Sequence, residues 1–234
     1  MLRKLLMIAG YKDISLIDYP GLIAPVVFVG GCNFRCPFCH NADLVLNPAE
    51  NEEFSIDNVL NRIENSKALA GGVVITGGEP TLWQGLEGFI HQIRNMNLKV
   101  KLDTNGSQPD TLEHLITQGL LDYVAMDIKT SLPRYPEASG IEINTLSIQK
   151  SIEVLINSGI PREFRTTCVP SLVSKEDVFS ICQMLGQGEK YTLQYFQPVN
   201  TIDPAYSQIK PYPPEEMEKL LSIVTVHGLT GKII

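Results

Sequence analysis

Three cysteines stand within eight residues in Cys32-Asn33-Phe34-Arg35-Cys36-Pro37-Phe38-Cys39, spaced C-x3-C-x2-C. Thiolates favour zinc and iron–sulfur clusters, and a loop this short can wrap three sulfurs around one centre. A structural zinc site normally closes with four protein ligands, and no fourth cysteine lies nearby. A [4Fe–4S] cluster held by three cysteines leaves one iron open to a ligand from outside the chain. His40 follows directly and could complete a Cys3His zinc site, so the triplet alone leaves both readings open. Of the other two cysteines, Cys182 reads as a core residue, and Cys168 as core or site-facing with core favoured. Cys182 falls on the apolar stripe of a helical pattern and Cys168 within an apolar strand run, and free cysteines are among the most buried side chains.

A second constellation sits at the ends of other apolar runs. Thr76-Gly77-Gly78-Glu79-Pro80 closes one of them. Glycines there let backbone approach a ligand closely, and Glu79 adds a negative charge suited to an amino group. The plainer reading is a tight turn into a helix that starts with Glu and Pro. Asp103, in Asp103-Thr104-Asn105-Gly106, and Asp127, in Met126-Asp127-Ile128-Lys129, end the next two runs. Either alone is an ordinary turn residue; two carboxylates at equivalent ends of neighbouring strands read as a site. Arg165, in the fifth run, offers a planar fork for a carboxylate, or forms a structural salt bridge.

The elements that must position these residues alternate. Strand runs fall at Ile23–Val29, Val73–Thr76, Val100–Thr104, Tyr123–Ile128, Phe164–Val169 and Tyr191–Phe196, short and apolar as strands buried on both faces should be. Between them, Ile56, Val59, Leu60 and Ile63 follow helical spacing behind Ser55, a predicted N-cap. Leu86, Phe89, Ile90 and Ile93 repeat it, and so do Val178, Ile181, Cys182 and Leu185 behind a capping box of Ser174 and Asp177. Shorter patterns run from Leu112 to Gly119, from Ile148 to Gly159 and from Pro214 onward. This alternation predicts an α/β fold with a parallel sheet and helices outside, six units against the eight of a full barrel, with chemistry at the C-terminal strand ends.

The chain has 234 residues, 44% hydrophobic and 19% charged, and is expected to form one domain over 1–234. Its 19 Lys+Arg against 26 Asp+Glu give a net charge of −7, which lacks the basic footprint of a nucleic-acid binder. No run approaches a membrane span, and Met1 to Ala9 is too short for a signal-peptide core. A cytoplasmic location follows as an expectation, and in that reducing compartment clustered cysteines hold metal or do chemistry.

The cysteine spacing, with aromatic Phe38 directly before Cys39, resembles the radical S-adenosylmethionine (SAM) superfamily. The resemblance implies a partial (β/α)6 barrel whose open iron chelates the amino and carboxylate groups of SAM. Reductive cleavage of SAM then yields a 5′-deoxyadenosyl radical. Asp103-Thr104-Asn105-Gly106, Met126-Asp127-Ile128-Lys129, the lead-in Ser15-Leu16-Ile17-Asp18-Tyr19-Pro20-Gly21 and the triplet region through Asn41 look like activating enzymes of glycyl radical enzymes. Among these they look most like the compact second subgroup that serves anaerobic ribonucleoside-triphosphate reductase. The resemblance implies that Cys32, Cys36 and Cys39 hold the cluster. It implies that Gly77, Gly78 and Glu79 bind the amino end of SAM, and that Lys129 approaches it. Asp103, Thr104, Met126 and Asp127 match residues that surround a monovalent cation beside the SAM carboxylate in pyruvate formate-lyase activating enzyme. Phe38, His40, Arg165 and Gln197 complete the expected cofactor contacts, with Gln194 and Tyr195 also near the adenine. The lyase activator uses a histidine near the sixth strand, and this sequence has none there. A glycyl radical enzyme as protein substrate and a flavodoxin or ferredoxin as electron donor are implied. The alternatives are a radical SAM enzyme for a small molecule, similar to 7-carboxy-7-deazaguanine synthase, and a closed zinc-binding module.

Overall fold

One sheet runs through the whole computed structural model, which describes residues 7–48 and 52–234. The first six residues of the Met1–Ala9 stretch lie outside that range. The strands are β1 (Ile8–Ser15), β2 (Ala24–Val29), β3 (Gly72–Gly77), β4 (Lys99–Thr104), β5 (Tyr123–Asp127), β6 (Arg162–Cys168), β7 (Lys190–Tyr195) and β8 (Thr230–Ile233). They lie side by side in chain order; β1 is antiparallel to β2, and every later pair is parallel. The order leaves β1 and β8 as the two edges, so the curved sheet is a partial (β/α)6 barrel with two added edge strands.

The helices are α1 (Ala42–Leu46), α2 (Ile56–Ser66), α3 (Leu86–Asn95), α4 (Pro109–Thr117), α5 (Tyr135–Ser139), α6 (Thr145–Ser158), α7 (Lys175–Leu185) and α8 (Pro214–Val226). Their starts are set locally. The Ser55 hydroxyl accepts from the Asn58 N–H, and Ser174 and Asp177 form the reciprocal capping box in front of α7. Gly159, at φ +73°, ends α6 in a conformation that a Cβ disfavours. Each amphipathic stripe then packs on the outer face of the sheet. Val59, Leu60 and Ile63 of α2 and Val178, Ile181, Cys182 and Leu185 of α7 are all buried, which contributes about 1.5–3 kcal/mol per large apolar side chain.

Strand parity divides the molecule into two cores. Val27, Val29, Val73, Ile75, Val100, Leu102, Val124, Met126 and Phe164 belong to the large cluster shared with the helices. Val26, Val74, Ala24, Tyr19 and Tyr123 form a small apolar floor of their own, on the concave face. The same concave face, followed across the register, carries polar residues. Val74 pairs with Lys101 and Lys101 with Tyr123, and Asp127 pairs with Arg165 and Arg165 with Thr192. The barrel interior is therefore apolar over β2 and β3 and charged over β4, β5 and β6.

Candidate active site

The loop after β2 presents the cysteines at the rim formed by the strand ends. Its backbone is held from several sides. The Arg35 guanidinium donates to the carbonyls of Cys32 (2.6 Å) and Phe34 (2.7 Å). The Arg35 backbone N–H reaches Ser139 O at 2.7 Å, while the Asp203 backbone N–H reaches Pro37 O at 2.9 Å. Gly140 (φ +69°) sits so close that a Cβ there would strike the Arg35 carbonyl. Gly78 makes an equally close approach, since a Cβ would collide with the Gly31 carbonyl oxygen, and one on Gly77 (φ +117°) would collide with β2 backbone. The two glycines are thus required first by the packing of β3 against the cysteine loop.

Cys32, Cys36 and Cys39 are free thiols lining a cavity of about 450 Å³, a size usual for small-molecule sites. Burial pushes the Cys32 thiol up to about 11 and the Cys36 thiol up to about 12, so bound metal would be what draws off their protons. The Phe34 N–H (3.3 Å) and the Asn105 side-chain amide (3.7 Å) donate to Cys32 Sγ. Among the described residues no group of three or more His, Cys, Asp and Glu is gathered tightly enough for a single metal ion. His40 is exposed at the rim of the cavity. Three thiols on one loop facing one cavity fit a multinuclear cluster.

Behind the cysteines lies a charged row. Lys101 Nζ donates to Asp103 Oδ1 at 2.5 Å, and Arg165 Nη1 and Thr76 Oγ1 each reach Asp103 Oδ2 at 3.2 Å. Arg165 Nε donates to Asp127 Oδ1 at 2.8 Å, and Lys129 Nζ to Asp127 Oδ2 at 3.2 Å. Burial by itself would raise the Asp127 pKa, but Arg165 and Lys129 outweigh it and hold the carboxylate well below its usual range. The opposing burial effect on Lys129 and Arg165 is likewise outweighed, by Asp127 for Lys129 and by Asp103 and Asp127 for Arg165, so both stay cationic. Arg165 is both a salt-bridge partner and a cavity residue, and among the described residues nothing accepts from its Nη2.

The cavity lining brings together most of the residues expected from the sequence: Phe38, His40, Gly77, Gly78, Asp103, Thr104, Asp127, Lys129, Arg165 and Gln197 join the three cysteines. Gln194 and Tyr195 line it too. Two expected residues stand apart. Glu79 is 0% exposed and is not among the lining residues. Its carboxylate accepts from Thr81 N–H and Oγ1, from Thr104 Oγ1 and from Asn105 N–H, tying the β3 turn to the β4 turn. The Met126 side chain belongs to the helix-facing core, against Gly106. Parity explains it: Asp127 faces the concave side, while Met126, its neighbour on the same strand, faces the helices.

Sequence reasoning missed Lys101, whose side chain is only 2% exposed, and Asn105, which bonds Cys32 and the Asn33 amide. The signal for Lys101 was present, because a lysine inside an apolar strand, two residues before Asp103, shares that residue's face. A further concavity of about 480 Å³ lies between α6 and α7, lined by Gln149, Ile152, Glu153, Ser180 and Met184, on the outer side of the barrel and away from the cysteines.

The Radical SAM superfamily profile matches residues 26–183. A Methanocaldococcus jannaschii protein, named provisionally as a glycyl-radical enzyme activating enzyme, is 33% identical over 215 residues, covering 89% of this chain and 87% of its own. Pyruvate formate-lyase-activating enzyme of Clostridium pasteurianum is 27% identical over 188 residues, covering 76% and 75%. The fold is shared with Streptococcus suis SuiB in a crystal structure bound to S-adenosylmethionine, at TM-score 0.66 and 17% identity, over 87% of this chain and 48% of that one.

Proposed function

Since the chain belongs to the radical SAM superfamily, whose members bind a [4Fe–4S] cluster and SAM, we propose that it activates a glycyl radical enzyme. The observation that carries the reading is the likeness, over nearly nine-tenths of both chains, to a relative named for that activity. When bound, the cluster supplies one electron to the SAM sulfonium, which breaks a carbon–sulfur bond and yields methionine and a 5′-deoxyadenosyl radical able to remove hydrogen from a glycine Cα.

The chain's own residues do the rest. Cys32, Cys36 and Cys39 would hold three irons. Arg165, Lys129 and Lys101 set three cations against Asp103 and Asp127, an excess of positive charge suited to the SAM carboxylate. The rim at Gly77 and Gly78 would take the amino end through backbone groups, with Phe38 and His40 beside the cluster. Gln194, Tyr195 and Gln197 would face the adenine. Glu79 keeps the rim in shape from behind. The continuity of the sheet from β1 to β8 supports 1–234 as one radical SAM domain.

For the partner we favour anaerobic ribonucleoside-triphosphate reductase, with a flavodoxin or ferredoxin as donor. The support is the likeness of Ser15–Gly21 and of the cysteine loop to that subgroup; in the fold, Asp18 from this lead-in reaches the cavity wall. No helix among the described residues is long and apolar enough to cross a membrane. Five free cysteines and a cluster needing reduction support a cytoplasmic setting. The test is anaerobic EPR with SAM, a reductant and either that reductase or pyruvate formate-lyase. A glycyl doublet on the reductase is the expected result. Turnover of SAM with no radical on either enzyme, and consumption of a small molecule instead, would overturn it.

A further inference from the structure

We propose that Lys101 is a built-in counter-cation of this site, so that SAM is bound without the monovalent metal ion the family resemblance implied. The inference rests on reading the cavity as a SAM site. It starts from the two carboxylates that line the cavity, because a hard cation needs oxygen ligands and a methionine side chain offers none. Both are already engaged: Asp103 by Lys101, Arg165 and Thr76, and Asp127 by Arg165 and Lys129.

Lys101 is what makes this arrangement complete. Its strand register places it beside Val74 and Tyr123, within the concave face, with Nζ 6.0 Å from the centre of the Tyr123 ring. A lysine this buried is stable only when paired. Its one ion-pair partner among the described residues is Asp103, so its charge is committed to the carboxylate that a metal ion would need. Glu163, further along the same face, is matched separately by Lys232 at 3.3 Å. The charged row thus carries its own excess of positive charge next to the SAM carboxylate. A metal cation entering it would compete with Lys101 and Arg165 for Asp103 and with Arg165 and Lys129 for Asp127. Lys101 acts through Asp103, which makes it a positioning residue.

The experiment measures SAM affinity of the anaerobically reconstituted, cluster-loaded protein by equilibrium binding. Ionic strength is held constant while tetramethylammonium is exchanged for potassium or sodium. Wild type is expected to bind equally in all three salts, within about twofold. Lys101→Met exposes Asp103 to a vacancy. It is expected to bind SAM at least about tenfold more weakly in tetramethylammonium and to recover in potassium or sodium. Such rescue by a metal ion is not what a merely structural lysine would give. A wild-type affinity that climbs about tenfold or more with added potassium or sodium would overturn the inference and leave the SAM site standing. Absence of SAM binding in every salt by cluster-loaded wild type would instead overturn the reading of the site, and the inference with it. The wild-type arm decides the matter even where the variant does not fold.

Discussion

Glu79→Gln is the substitution whose outcome the structure changes most. A ligand-facing Glu79 would lose SAM affinity and keep its stability. The structure gives the reverse. Oε1 accepts three hydrogen bonds, from Thr81 N–H (3.1 Å), Thr81 Oγ1 (2.5 Å) and Thr104 Oγ1 (2.7 Å), and Oε2 accepts one from Asn105 N–H (2.6 Å). Glutamine can keep the first three with its carbonyl oxygen. Its amide then faces the Asn105 N–H, donor against donor. A buried N–H left without an acceptor costs about 1–3 kcal/mol, with more lost because the old acceptor was charged. Part of this is offset, because burial raises the Glu79 pKa and the neutral amide escapes that desolvation. The net expectation is a loss of about 1–3 kcal/mol, or roughly 2–10 °C in Tm for a chain of this size. Glu79→Ala strands both backbone N–H groups and opens a void, for about 3–5 kcal/mol. Equilibrium urea unfolding of the cluster-free protein, followed by far-UV circular dichroism, reads both. Unchanged midpoints together with weakened SAM binding in the loaded protein would refute the reasoning.

Other perturbations separate the loop, the cluster and the scaffold. Gly78→Ala drives a Cβ into the Gly31 carbonyl and should lower iron per chain after anaerobic reconstitution. Iron equal to wild type would show that the cysteine loop shifts freely. Cys36→Ala should abolish the four-iron chromophore, whereas Cys182→Ala, in the α7 core, should leave iron content unchanged and cost about 1 kcal/mol of stability. Asp177 is buried, which raises its pKa, but Ser131, Ser174 and Arg134 outweigh this and depress it. Its stabilisation is therefore present above the unfolded value near 3.9 and lost as pH falls through the depressed folded value. Asp177→Asn should remove about 1–3 kcal/mol at neutral pH and flatten the acid limb of stability against pH; an unaltered acid limb would contradict this.

The barrel was legible because its signals are local and repeated. All six interior strands begin and end within two residues of the apolar runs, and the caps at Ser55 and Ser174 sit where the sequence places them. The two edge strands were not legible. β1 is half exposed and carries Gly10, Lys12 and Asp13, and β8 is four residues long with a glycine inside, so neither makes an apolar run. Within the site, spacing located the cysteines and the strand-end carboxylates. It could not tell which way a side chain turns. Glu79 looks identical in sequence whether its carboxylate meets a ligand or the Asn105 amide. Met126 and Asp127 are neighbours that face opposite sides of one strand. Lys101 went unread because a charge inside an apolar run looks like an interruption until register places Asp103 above it.

The most direct measurement of the central claim, an iron left open by three cysteines and taken by SAM, is electron–nuclear double resonance on the reduced, anaerobically reconstituted protein. SAM labelled with oxygen-17 in its carboxylate should show strong hyperfine coupling to the cluster, and its addition should shift the cluster's EPR signal. An unshifted signal with no oxygen-17 coupling would mean that the chain itself saturates every iron, contradicting the account.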